Sequence, residues 1–187
     1  ILVHCKSEKQ TRWIKTVIEE RLKQCRLELN PEKTKIVYYK DSFRTGSYPN
    51  KKFDFLGYTF RPRLSKGRHG RFFVSFLPAV SDEAAKSIRR TIRSWRIHRM
   101  SDKSIQDLAY MFNPVIRGWI NYYGQFYKSA LYPILNQLNG AMQKWAMRKY
   151  KKFRRSRRRA FHWLVRIAKR MPHLFAHWPL VGQTASR

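Results

Sequence analysis

The sequence predicts an α+β fold, on three observations. Aromatic and β-branched residues cluster in short runs before Ser81, whereas from Ser81 onward apolar residues recur at helical spacing. The early segments read in the order strand, helix, strand, hairpin, and the later ones as helices alone. At 187 residues, 43% hydrophobic and 15% aromatic, the chain has the side chains to build a core.

The elements follow in order. "ILVHC" at 1–5 reads as a buried strand, and "SEKQ" at 7–10 as a Ser-x-x-Gln capping box opening a helix with Ile14, Val17, Ile18 and Leu22 on its apolar face. Asn30-Pro31 predicts a turn and residues 34–39 a strand. "KKFDFLGYTFRPR" at 51–63 reads as one strand with Gly57 in its middle, where a missing Cβ lets another backbone approach or accommodates a bulge. By alternation, Phe53, Phe55, Gly57 and Thr59 share one face of it, and Leu56, Tyr58 and Phe60 the other. "RPRLSKGRHGR" predicts a turn, and "FFVSF" a third strand.

Ser81 caps a helix through about residue 98, in which Lys86, Arg89, Arg90, Arg93 and Arg96 share one arc and Ile88, Ile92 and Trp95 the opposite one. Ser101 caps a second helix with Ile105, Leu108, Ala109 and Phe112 inward, interrupted at Asn113-Pro114. "PVIRGWINYYG" gives a third, ending at Gly124, in which Trp119, Ile120 and Tyr123 are expected to pack rather than stack on bases. Pro133 opens a longer one that buries Leu135, Leu138, Met142 and Trp145 and carries Lys144, Arg148, Lys151 or Lys152, and Arg155 on its other face. "KYKKFRRSRRRAFHW" is the densest basic block. Because Phe161, Leu164, Val165 and Ala168 continue at helical spacing behind it, it reads as a helix junction rather than a loose tail. The resulting division is 1–78, 79–152 and a basic helical extension at 153–187.

Charge narrows the partner. Lys plus Arg number 41 against 11 Asp plus Glu, a formal +30, and no acid occurs after Asp107. A chain so charged repels itself unless a polyanion neutralises it, which points to nucleic acid. No apolar run reaches the roughly 18 residues of a membrane span, so no membrane partner is expected. Cys5 and Cys25 lack ligand spacing and read as reduced, near-core residues. His173 and His177 alone make a weak zinc pair, so no metal site is expected. Asp41, Asp54, Asp82, Glu83, Asp102 and Asp107 are scattered, with no Asp-Asp or Asp-x-Asp pair.

Three motifs, "LELNPEKTKIVYY", "FDFLGYTF" and "MFNPVIRGWINYYGQF", resemble in order and spacing the C-terminal half of group II intron-encoded reverse transcriptase/maturases. The resemblance implies the end of a polymerase palm followed by an all-α thumb and maturase bundle. In that family "ILVHC" would directly follow the Tyr-Ala-Asp-Asp turn, so an upstream segment is expected. The resemblance implies an RNA-directed DNA polymerase that also aids splicing. The Mg²⁺ ions of such an enzyme would be held by residues outside this chain, and none by this chain alone. A standalone RNA-binding maturase or splicing cofactor without polymerase activity is the alternative.

The resemblance also implies site residues. Lys33, with Lys35 as its alternative, matches the lysine that approaches the nucleotide phosphates. Phe55, Leu56, Gly57 and Tyr58 match the primer grip, with Arg61 and Arg63 touching phosphates. In the helical part Arg89, Arg93 and Arg96 lead the RNA-binding candidates, with Lys86, Arg90, Arg117, Lys144, Arg148, Lys152, Arg154 and Arg155 beside them. The implied partners are structured intron RNA, an RNA template-primer duplex, a DNA primer or target, and the upstream polymerase segment. The implied location is the bacterial cytoplasm, near the nucleoid, or an organelle.

Overall fold

Ser7 opens the first helix as expected: its Oγ accepts from Gln10 N at 3.2 Å, and α1 (Glu8–Gln24) follows. The reciprocal bond differs, since Gln10 Oε1 takes the N–H of Lys6 rather than of Ser7. Ile14, Ile18 and Leu22 form a half-buried stripe on α1, while Val17 is exposed. The computed structural model describes residues 1–44, 46 and 48–181. It divides into two units, Ile1–Phe53 with Pro62–Ser75, and Asp54–Arg61 with Phe76–Arg187.

In the first unit both expected strands outside the hairpin are absent. Residues 1–5 carry no strand and Ile1, Leu2 and Val3 are exposed; residues 34–39 are irregular. A β-branched run becomes a strand only when a neighbour takes its backbone groups, and here Tyr38 N finds Asn50 O at 2.9 Å instead of a ladder. Cys25 is exposed at the C-terminus of α1, and Cys5 half-buried, so Cys25 is not a core residue; both are free thiols.

The 51–63 run is not one strand. β1 (Phe53–Phe55) turns through Leu56 and Gly57 into β2 (Tyr58–Lys66), and β3 (Phe72–Val80) completes a sheet of order β1-β2-β3. Leu56 at φ 48 and Gly57 at φ 76 make the double positive-φ turn that suits the twist of a two-residue hairpin. Two-faced alternation across the glycine therefore does not hold. β2 also extends through Pro62, where a turn is predicted. Counting by twos from the hairpin, the nitrogen of Pro62 points toward the β1 side beyond the end of β1, so no ladder bond is lost there.

The second unit is mainly helical: α2 (Asp82–Ser94), α3 (Ile105–Tyr123), α4 (Tyr132–Lys149), α5 (Arg157–Arg170) and the short α6 (Trp178–Val181). One apolar core runs from Ala85 to Val181, with Leu108, Ile116, Leu135 and Trp145 at its fully enclosed centre. α3 starts at a Ser104–Asp107 capping box, not at Ser101, and passes unbroken through Pro114. An internal proline costs a helix about 3 kcal/mol. Enclosing Phe112 and Ile116 on either side of it recovers roughly 1.5–3 kcal/mol each, so packing keeps the helix whole. The Asn113 side chain, also buried, is bound to Leu174 O at 2.8 Å and Ala176 N at 2.9 Å.

The basic block is a junction, as its sequence predicts. A 3₁₀ turn at Lys151–Phe153 buries Phe153, and Ser156 Oγ accepts from Arg159 N to cap α5. Trp163 on α5 then packs on Phe153, Tyr150 and Trp145.

Candidate nucleic-acid interface

The cationic strip on α2 follows from its apolar face. Ser81 caps the helix through Ala84 N at 3.1 Å, and Ala85, Ile88 and Ile92 turn inward. Lys86, Arg90 and Arg93 are thereby held outward and exposed, with Arg89 half-buried beside them. Lys86 lies 3.5 Å from Glu83, a solvent-exposed pair that contributes little.

α2 stops at Ser94, short of residue 98, and Arg96 takes left-handed backbone at φ 47 before a 3₁₀ turn at Ile97–Arg99. Helix geometry explains the stop. At about 100° per residue a continued helix would place Ile97 on the arc of Lys86 and Arg90, exposed among cations. The break lets Ile97 bury to 3% exposure instead. Arg96 consequently leaves the α2 strip and joins Arg99, Lys144 and Arg148 around His98, whose proton affinity is lowered by burial and then by Arg148, Arg99, Lys144 and Arg96. His98 and Arg99 are not among the sequence-predicted candidates, because the helix expected through about residue 98 hides the turn that brings them to this cluster.

The remaining predicted cations are spread over several elements. Arg117 is exposed on α3; Lys152, Arg154 and Arg155 are exposed around the junction before α5, with Lys152 Nζ 5.1 Å from the Phe153 ring. Arg61 is exposed and Arg63 half-buried on β2. Lys33 is exposed in the turn after Asn30, whose side chain accepts its N–H at 3.0 Å.

Around Gly57 the expected notch is filled from within the protein. A Cβ there would stand 3.0 Å from the Tyr123 hydroxyl. Tyr122 Oη donates to Leu56 O at 2.8 Å, Tyr58 Oη donates to Tyr122 O, and Ser81 N donates to Gly57 O at 2.9 Å. Tyr58 packs on Tyr122, Tyr123 and Phe126, and burial pushes the Tyr58 and Tyr123 phenols up. Phe55 and Leu56 remain exposed at the turn. Left-handed backbone costs an L-residue about 1–2 kcal/mol, so Gly57→Ala, with its added crowding on Tyr123, is expected to destabilise by about 2 kcal/mol. A urea titration showing less than about 0.5 kcal/mol would contradict the turn.

The family model described as the group II intron, maturase-specific domain, matches residues 85–163. This helical region is similar to the group II intron maturase-specific domain. No curated protein and no solved structure matches the chain. The match begins inside α2 and ends inside α5, and so takes in Lys86, Arg89, Arg90, Arg93, Arg96, Arg117, Lys144, Arg148, Lys152, Arg154 and Arg155. Lys33 and the hairpin residues lie outside it.

Behind the matched region, the described end of the chain packs onto the core: Phe175, His177, Trp178 and Val181 are buried. His177 Nε2 lies 3.0 Å from Asn139 Oδ1, which also accepts from Trp178 Nε1 and must therefore accept the imidazole proton. Nδ1 is then a bare acceptor, and among the described residues it has no partner. Burial drives the His177 pKa down from 6.5 to about 3. The unfolded chain takes up this proton first as pH falls, so the associated stability is complete above pH 6.5 and is lost progressively toward pH 3. Between pH 7 and pH 5 this residue is expected to remove about 2 kcal/mol. Urea midpoints of wild type and His177→Gln at the two pH values check it, and an equal fall in both would contradict it.

The carboxylates do not converge. Asp54 accepts from Thr59, Asp41 from the backbone of Phe43 and Arg44, and Asp107 from Ser104 N. Among the described residues no three His, Cys, Asp or Glu side chains come together so as to hold a metal ion. No described helix is long and apolar enough to cross a membrane.

Proposed function

We propose that the maturase domain grips structured intron RNA through exposed arginines and lysines on α2, on the turn that follows it, on α4 and at the junction before α5. The supporting observation is that an amphipathic helix and the ends of two others hold these cations on a stable core, while the region after Asp107 contains no acid to neutralise them. A-form RNA presents phosphates and 2′-hydroxyls in a shallow minor groove, which rows of guanidinium groups can follow by shape. The test is binding of a group II intron RNA against a random RNA duplex of equal length at physiological salt. Tighter binding of the intron is expected; equal affinity would reduce the protein to a nonspecific polycation.

A second reading is favoured by the three motifs and concerns the longer protein. The chain is the nucleic-acid-holding half of a reverse transcriptase, with Lys33 near the nucleotide phosphates and the hairpin of Phe55, Leu56, Gly57 and Tyr58 near the primer end. Leu56 and Phe55 are the exposed apolar residues of that turn, suited to the sugar face of a primer, whereas Gly57 and Tyr58 would support it through α3. The metal chemistry would belong to carboxylates outside this chain. Joining the chain to a polymerase segment bearing a Tyr-Ala-Asp-Asp turn should give primer extension on RNA, and a folded fusion without synthesis would remove this reading.

A further inference from the structure

The 3₁₀ turn after α2 and the surface of α4 enclose an open cleft of ≈ 360 Å³ lined by His98, Arg99, Ser101 and Arg148. Its walls are fixed from α4. Trp145 Nε1 donates to Met100 O at 2.8 Å, and Lys149 Nζ donates to Ser101 O and Lys103 O, both at 2.9 Å. The loop therefore keeps one geometry against the helix that carries Arg148. Lys149 is occupied by these carbonyls. By contrast, among the described residues no hydrogen bond or ion pair engages the side chains of Arg96, Arg99, Lys144 or Arg148.

The charges acting on His98 are Arg148, Arg99, Lys144 and Arg96, all of one sign, with no carboxylate among them. Such a cluster is self-repelling until an anion enters it. Arg96 moreover sits in left-handed backbone, where glycine would be unstrained, and strain of this kind persists where the surroundings impose it. A fork of guanidinium N–H groups matches the oxygens of a phosphate, and a serine hydroxyl adds a neutral donor.

We propose that this cleft is a phosphate-binding site that takes one phosphodiester of the intron RNA strand, clamped between Arg99 and Arg148, with Ser101 Oγ as a further donor and His98 at its wall. The source of the phosphate rests on the RNA-binding reading above; the anion chemistry of the cleft does not. Arg96 and Lys144 supply the surrounding positive potential.

Two arms test it with the full chain. In the first, inorganic phosphate is titrated at constant ionic strength against a chloride control, and the His98 ring resonances are followed by NMR. A saturable shift is expected, lost in R99A/R148A; absence of saturation in the wild type would overturn the site. In the second, intron RNA affinity is measured against salt for the wild type, R99A/R148A, and the comparator R90A. Losing one phosphate contact should weaken binding by about tenfold or more and lower the salt slope by about one. An unchanged slope and affinity in R99A/R148A, with R90A weakened, would overturn the RNA assignment and leave the RNA-binding reading standing. Absence of all RNA binding would overturn both the RNA reading and the assigned source, while the first arm still judges the cleft. Arg99 and Arg148 are exposed, so the double variant should melt with the wild type, and the melt verifies its fold.

Discussion

Replacing Lys86, Arg90 and Arg93 together by alanine is expected to weaken intron RNA binding on the order of a hundredfold at physiological salt. Each side chain is exposed on one arc of α2, and none lies in the apolar face of Ala85, Ile88 and Ile92. Alanine is the best helix former, so α2 and its Ser81 cap should persist. The deciding quantity is the salt dependence. Each phosphate neutralised contributes about 0.7–0.9 to the slope of log affinity against log salt, so loss of all three contacts should lower it by about 2–3. A triple variant with an unaltered slope would show that the α2 strip faces solvent in the complex, and binding would have to be sought on α4 and the α5 junction.

Trp145→Ala should be the most damaging single substitution to the fold, at about 4 kcal/mol. The indole is fully enclosed, it meets Tyr150 edge-on and packs at a tilt against Trp163, and it carries the hydrogen bond to Met100 O. Truncation opens a large cavity and strands a carbonyl, each a recognised source of large losses. Domains of this size have about 5–15 kcal/mol in total, so the variant should be close to unfolding at 37 °C. Urea denaturation checks this, and a loss below about 2 kcal/mol would mean that the core collapses around the vacancy.

Helices were legible where packing and local chemistry agree. Ser7 and Ser81 cap as their spacing suggests, Pro133 opens α4, and the inward residues of α4 are the ones its periodicity marks. Two errors share a cause: a local signal was overruled by burial. Pro114 reads as a break, yet Phe112 and Ile116 hold α3 together. The α2 wheel reads on through Arg96, yet Ile97 would then face outward, a clue the sequence did contain. The strand readings failed differently. Period-two alternation cannot distinguish a strand from two strands joined at Leu56-Gly57, and the runs at 1–5 and 34–39 supply propensity but, among the described residues, form no strand. Of the candidate interface, the α2 arc was visible in advance; the convergence on His98 was not, because it depends on that left-handed residue.

The amide of Asn113 and the acceptor oxygen of Asn139 are both satisfied by residues 174–178, downstream of the point where the family match ends. A fragment trimmed for expression to 85–163 would cut away those partners at one end and the Ser81 cap at the other. Any piece meant to fold alone must therefore span at least Ser81 to Val181, so the folding unit is larger than the stretch that the family model matches.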